Sequence, residues 1–216
     1  MSDLKFEVIG ARAERYAATP LLMLRLRITE SSGARIATLA LRAQIQIESR
    51  ERHYSGAEEG RLYELFDTPS RWGQTQRTLL WTHVSAMVPE FEGSVEIDLP
   101  VPCTYDFEVA SSKYLDALRD GEIPVTLLFS GTLFTRDVGG FGAEMIPWEK
   151  EARCRIPVAA YREALDAHFP NSAWIRVRRE SFDVLYEFKA RKGLRTWDEA
   201  LDALIASATA AAGDAP

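Results

Sequence analysis

Apolar and polar residues alternate through most of the first half of the chain. Leu22, Leu24, Leu26 and Ile28 fall on one side of an extended segment, with Arg25, Arg27 and Thr29 on the other. Leu39, Leu41, Ala43, Ile45 and Ile47 repeat the pattern against Arg42, Gln44, Gln46 and Glu48. A period of two places every second side chain on one face of a strand, so each segment reads as a strand with one buried face. Ser31-Ser32-Gly33-Ala34 between them reads as a turn, which predicts two neighbouring antiparallel strands. An earlier strand is expected over 5–13. Later ones are expected over 77–86, with Trp81 and His83 on one face, and over 95–101 with a continuation at 106–110. Pro100 and Pro102 lack a backbone donor and place that strand end at a sheet edge or outside the sheet. The apolar run 124–134 suits a strand buried on both faces, with a bulge at Gly131. A last strand is expected over 152–158.

Elsewhere the period lengthens. Leu62, Leu65 and Phe66 predict a short helix over 57–66, bounded by Pro69. Ser111-Ser112 reads as the cap of a two-turn helix over 113–119 that ends at Gly121. Val158, Tyr161, Leu165 and Phe169 follow a helical spacing up to Pro170, and Phe182, Leu185, Tyr186 and Phe188 resume it up to Gly193. Residues 174–178 fit either a strand or a helix. Thr196 and Glu199 form a capping box for a helix over 197–207. The predicted fold is α+β and mainly β: an antiparallel β-sandwich over 1–157, a C-terminal helical segment over 158–210 packed on its side as one folding unit, and a disordered tail over 211–216.

Charge narrows the function. The formal net charge is -6, and the basic cluster Arg176, Arg178 and Arg179 is diluted by Glu180, Asp183 and Glu187, so nucleic acid is not an expected partner. No apolar run approaches the length of a membrane span, and the first residues lack the pattern of a secretory signal; a cytoplasmic location without a membrane role is expected. Cys103 and Cys154 have no CxxC partner and read as reduced, buried or semi-buried thiols.

No motif for catalysis or cofactor binding emerges. His53, His83 and His168 lack ligand spacing, and no metal is expected. Ser130-Gly131 lacks the first glycine of a nucleophile elbow. Arg153 and Arg155 flank Cys154, but in a strand they point to the opposite face. Val138-Gly139-Gly140-Phe141-Gly142 matches no phosphate-binding loop and reads as a mobile hairpin tip. No cofactor is expected, and the balance leans against an enzyme. The tryptophans carry more information. Trp72 and Trp148 lie in turn-like contexts, where an indole is either an anchor for its loop or an exposed binding group. With Phe141, they are the candidate partner-binding residues.

Four phrases add a context: Val88-Pro89-Glu90-Phe91-Glu92-Gly93, Ile97-Asp98-Leu99-Pro100-Val101-Pro102-Cys103, Leu128-Phe129-Ser130-Gly131-Thr132 and Ile146-Pro147-Trp148. Together they resemble a bacterial domain-of-unknown-function family, common in actinobacteria, associated with gene neighbourhoods of nickel-iron uptake hydrogenases. The resemblance implies no site residue. With the acidic, motif-poor sandwich and the loop aromatics, that context favours an accessory or assembly protein with a protein partner, such as a hydrogenase subunit or maturation factor. Two other classes stand beside that reading. One is an enzyme or small-ligand binder, with His83, Glu108 and Arg155 as a converging polar set. The other is an oligomer-forming structural module.

Overall fold

The computed structural model describes residues 2–103, 109–137, 140–172, 175 and 177–213. Eight strands are formed among them: β1 (Leu4–Ala13), β2 (Leu21–Glu30), β3 (Ile36–Ile47), β4 (Leu79–Val88), β5 (Ser94–Pro102), β6 (Glu122–Asp137), β7 (Gly140–Met145) and β8 (Glu151–Pro157). The helices are α1 (Gly56–Phe66), α2 (Trp72–Thr75), α3 (Ala110–Ala117), α4 (Val158–Asp166), α5 (Arg179–Arg191) and α6 (Trp197–Gly213). The fold is α+β and mainly β, with two antiparallel sheets followed by helices. One sheet has the order β1-β2-β5; the other has the order β4-β3-β6, with β7 and β8 sharing the far edge of β6.

The two alternating segments behave as their spacing requires. Leu22, Leu24, Leu26 and Ile28 of β2 are buried, as are Leu39, Leu41, Ala43, Ile45 and Ile47 of β3. They are not neighbours, however. β2 pairs with β1 and β5, whereas β3 pairs with β4 and β6. Alternation specifies one buried face and is satisfied equally by strands side by side or face to face across a core. The link 31–35 is a crossover between sheets. Glu30, at the inner-face parity of β2, organises it. Its carboxylate is 3% exposed and accepts from the backbone N–H groups of Asp3 (3.1 Å), Ser32 (2.9 Å) and Ala34 (2.9 Å) and from the Ser32 hydroxyl. Phe6 of one sheet stacks on Phe129 of the other, with ring centroids 4.1 Å apart.

Other expectations are corrected locally. Trp81 is the extra residue of a bulge in β4, since Ile45 pairs with Thr82 and Gln46 with Leu80. The bulge turns Trp81 onto Tyr161 and leaves His83 on the opposite, exposed face. Gly131 is not a bulge: the β3–β6 register runs unbroken through Leu41↔Gly131. Only Ile123 to Leu127 of β6 is buried on both faces. The expected loop at 137–142 is largely strand, with Phe141 opposite Arg136 in the β6–β7 hairpin; residues 138 and 139 lie outside the described residues. Among the described residues β5 pairs only with β2, in keeping with its prolines. The continuation expected at 106–110 lies mostly outside the described residues, and its last residue, Ala110, opens α3. Ser111 and Ser112 are inside α3 and do not cap it. α4 ends at Asp166, one turn short of Phe169.

The chain forms two compact units, 1–173 and 174–216. The helical stretch expected over 158–210 divides between them. α4 buries Val158, Tyr161, Ala164 and Leu165 and packs on β1, β2 and β8. α5 and α6 pair with each other in the second unit. Gly193 ends α5 with φ +67°. The Thr196–Glu199 capping box opens α6, which stays helical to Gly213. Trp174 and Arg176, in the stretch that fits either a strand or a helix, lie outside the described residues.

Candidate functional site

The outward faces of the two sheets differ in chemistry. On the three-stranded sheet, Arg25 reaches Glu96 (3.3 Å) and Asp98 (3.2 Å), Arg27 reaches Glu96 (2.9 Å), and Arg12 reaches Asp98 (3.2 Å). That face is a solvated lattice of opposite charges, an ordinary way to keep a sheet surface from sticking to another protein.

The outward face of the five-stranded sheet is apolar at its rim. Strand register sets Met87, Ala40, Thr132 and Met145 in one row across β4, β3, β6 and β7. The next row holds Ser85, Arg42 and Ser130, and the next His83, Gln44, Leu128 and Glu151. Met87 and Met145 are 67% and 74% exposed. His83 shares a hydrogen bond of 3.3 Å with Gln44. The Arg42 side chain is exposed and has no carboxylate partner among the described residues.

Trp148 stands over this face. β7 leaves β6 after Met145, and β8 rejoins it at Glu151. The link is held at both ends, by Ile146 N–H to the Gly131 carbonyl (3.0 Å) and by Phe129 N–H to the Lys150 carbonyl (2.9 Å), and it turns through Lys150 N–H to the Pro147 carbonyl (3.1 Å). Ile146 is buried and the Lys150 ammonium bonds Asp3. Trp148, at the tip, is 89% exposed. It lines a shallow depression of about 400 Å³ with Arg42, Gln44, His83, Leu128 and Ser130. A second depression of about 320 Å³ adjoins it through Arg42 and reaches Met87. An exposed indole on a fixed turn, beside adaptable methionines and one free cation, offers contact area at small entropic cost.

The three candidate residues therefore have different placements. Trp148 is exposed. Trp72 is an anchor: its indole N–H donates to the Asp67 carbonyl at 3.0 Å and its ring meets Tyr54 edge-on at 5.1 Å. Phe141 has its backbone in β7, and its side chain lies outside the described residues. The residues that sequence reasoning missed are Met87, Met145 and Arg42. The even parity of Arg42 in β3 was a signal for an outward position, but only strand pairing shows what stands beside it.

Other chemistry is sparse. Among the described residues, no group of three or more His, Cys, Asp or Glu side chains is placed to hold a metal ion. His53 is exposed. The His168 ring lies between the carbonyls of Ala164 (3.1 Å) and Ala17 (2.7 Å), tying the end of α4 to the β1–β2 link. Cys103 and Cys154 are free, and burial pushes both thiols up to about 12, which keeps them protonated. Of the converging polar set, Glu108 lies outside the described residues and Arg155 donates to the Glu51 carbonyl. A concavity of about 870 Å³ beside α4 is an open groove lined by Arg15, Arg119, Arg162, Asp120, Glu163 and Asp166; its three positive and three negative side chains balance. No helix among the described residues is long and apolar enough to cross a membrane.

Comparison with known families bears on the whole chain. Residues 1–213 match the model of DUF6084, a family of unknown function. The chain belongs to the DUF6084 family. No protein of curated function matches it.

Proposed function

We propose that this DUF6084 protein is a cytoplasmic accessory or assembly factor that binds another protein through the outward face of its five-stranded sheet. The observation that supports the reading is Trp148, 89% exposed on a turn anchored at both ends and flanked by exposed methionines and the free Arg42. Exposed aromatic, methionine and arginine side chains grouped together are the composition of an interface centre rather than of a solvated sheet. The paired charges over the other sheet make the contrast within one molecule. The resemblance to a family near nickel-iron uptake hydrogenase genes supplies the partner of this reading, a hydrogenase subunit or maturation factor, with a carboxylate opposite Arg42.

The test is an affinity pull-down of the tagged protein from its native lysate under hydrogen-metabolising growth, beside Trp148→Ala and Arg42→Glu variants. The expected result is a stoichiometric hydrogenase subunit or maturation factor with the wild type and its loss with both variants. Recovery of the protein alone, or equal recovery by all three, overturns the reading. The second reading, a small-ligand protein, has the groove beside α4 as its location. The balanced charge and openness of that groove give it less support.

A further inference from the structure

Sheets end in rows of unpaired backbone groups, and folded proteins guard such edges with bulges, prolines, charges or a covering element. Most edges of the two sheets here are guarded. β1 has a register shift between Val8 and Gly10, with α4 and β8 beside it. β8 lies along β1 and α4. β4 carries the bulge at Trp81 and has β5 and α3 beside it. β5 turns its prolines to its free edge. Cys103 N–H donates to the Pro20 carbonyl, so the alternation of the ladder points the nitrogens of Pro102 and Pro100 away from β2, where proline removes a donor from the exposed row.

β7 has none of these devices. Among the described residues it pairs with β6 alone, through an unbroken register, and it contains neither lysine nor proline. Its one charged side chain, Glu144, has the parity opposite to Met145 and is half-buried, its carboxylate accepting from the Ser2 N–H at 3.0 Å. Gly142, Ala143 and Met145 are exposed. Ile146 N–H donates to the Gly131 carbonyl, so the ladder bonds of β7 fall on Glu144 and Gly142. Phe141, Ala143 and Met145 therefore direct their N–H and C=O groups away from β6. Donors and acceptors alternating at strand spacing are matched by an extended peptide.

The order of residues in β7 selects which peptide. A second β7, set antiparallel by a two-fold axis beside Ala143, meets every outward group from Phe141 to Met145. Ala143 bonds its own counterpart, and Met145 and Phe141 bond each other. Glu144 falls opposite Gly142, so the carboxylates do not oppose each other across the pair. A strand that complements itself under a two-fold rotation is the requirement of a symmetric dimer.

We propose that β7 pairs antiparallel with β7 of a second copy of this chain, Ala143 against Ala143, and joins the two five-stranded sheets into one. The axis stands normal to the joined sheet, so both Trp148 faces lie on the same side of it. This inference concerns the strand edge and does not depend on what the Trp148 face binds.

The test is the mass of the full-length protein in solution at tens of micromolar, by light scattering. The expected value is twice the chain mass of 24.3 kDa, falling to one chain mass in Ala143→Pro with an unchanged circular dichroism spectrum. That proline removes an outward N–H and leaves the bonds to β6 in place. Any other wild-type mass overturns the proposal, as does a folded proline variant that remains dimeric. A second reading holds even where the proline disturbs β7. Paired residues of this kind have Cα atoms about 5.5 Å apart, within reach of a disulfide. Ala143→Cys under mild oxidation is expected to give a covalent dimer, whereas Met87→Cys, exposed on β4 at the opposite edge of the same sheet, is not. Equal yields of covalent dimer from the two variants overturn the pairing.

Discussion

Gly131 of β6 lies against the backbone of Ala40 in β3 so closely that a Cβ on the glycine would sit 2.0 Å from the Ala40 carbonyl oxygen. Its φ of +143° is also one that side chains rarely adopt. The close approach occurs where the outer neighbour of β6 changes from β8 to β7, opposite the turn that carries Trp148. Gly131→Ala is expected to cost more than about 2 kcal/mol. Gly33→Ala also meets a positive φ, +81°, but open space, and should cost only about 1 kcal/mol. Urea unfolding of the two variants checks the difference, and equal costs would remove the argument from close approach.

Glu30 gives a prediction in pH. Burial raises its carboxyl pKa, but the Ser32 hydroxyl and the N–H groups of Ser32, Asp3 and Ala34 outweigh burial and hold it below the usual 4.5. A carboxylate with a lowered pKa in the folded state contributes stability that is fully present above its unfolded pKa and is lost as pH falls through the folded value. The melting temperature should therefore drop as pH falls below about 4.5. Glu30→Gln should cost about 2 kcal/mol at neutral pH and make the acid decline shallower. Melting curves across the acid range measure both, and a decline as steep as that of the wild type would count against the assignment.

The most buried ion pair among the described residues is Arg52 with Glu58, whose side chains are 6% and 1% exposed. Arg52 also donates to the carbonyls of Asp120 and Glu122, and Glu58 accepts from the N–H groups of Ser55 and Arg119. The pair pins the start of α1 to the α3–β6 link. Arg52→Met leaves a buried carboxylate unpaired and should cost about 3–5 kcal/mol. Adding Glu58→Gln removes that charge while keeping an acceptor, so the double variant should be less destabilised than the sum of the singles by more than about 1 kcal/mol. A double-mutant cycle in denaturant decides it.

The two turn-borne tryptophans should separate stability from binding. Trp72→Ala removes an indole packed on Tyr54 and Phe66 and should cost about 3 kcal/mol. Trp148→Ala should change stability by less than about 0.5 kcal/mol while reducing acrylamide quenching of the remaining fluorescence. Similar stability losses in both would mean that Trp148 is a second anchor.

Period and parity made much of this fold legible. The inner faces of β2 and β3, the edge position of β5 and the box that opens α6 all follow from residue order. Strand adjacency did not, because β2 and β3 bury the same kind of face whether paired or opposed. Local dihedral effects were also hidden: an extra residue at Trp81 reverses the side it faces, and nothing in its neighbours signals the bulge. The candidate face was half legible. The Ile146-Pro147-Trp148 phrase marked a turn with an aromatic, but Met87 and Met145 are 58 residues apart in number and meet in one row only through the pairing of four strands.

The crossover at Glu30 also governs the order of assembly. β2 leaves its own sheet before that sheet is complete, and its second neighbour, β5, arrives only after the chain has built β3, α1 and β4. Arg25 and Asp98, which bond across that pairing, are 73 residues apart. On a ribosome, β2 waits with one edge bare until residue 102 has emerged, while β3 and β4 pair over a shorter loop. β3 waits longer still for its second neighbour, since Leu41 pairs with Gly131 of β6, 90 residues on, so the five-stranded sheet is expected to close after the three-stranded one and its non-local contacts to carry the slow part of folding.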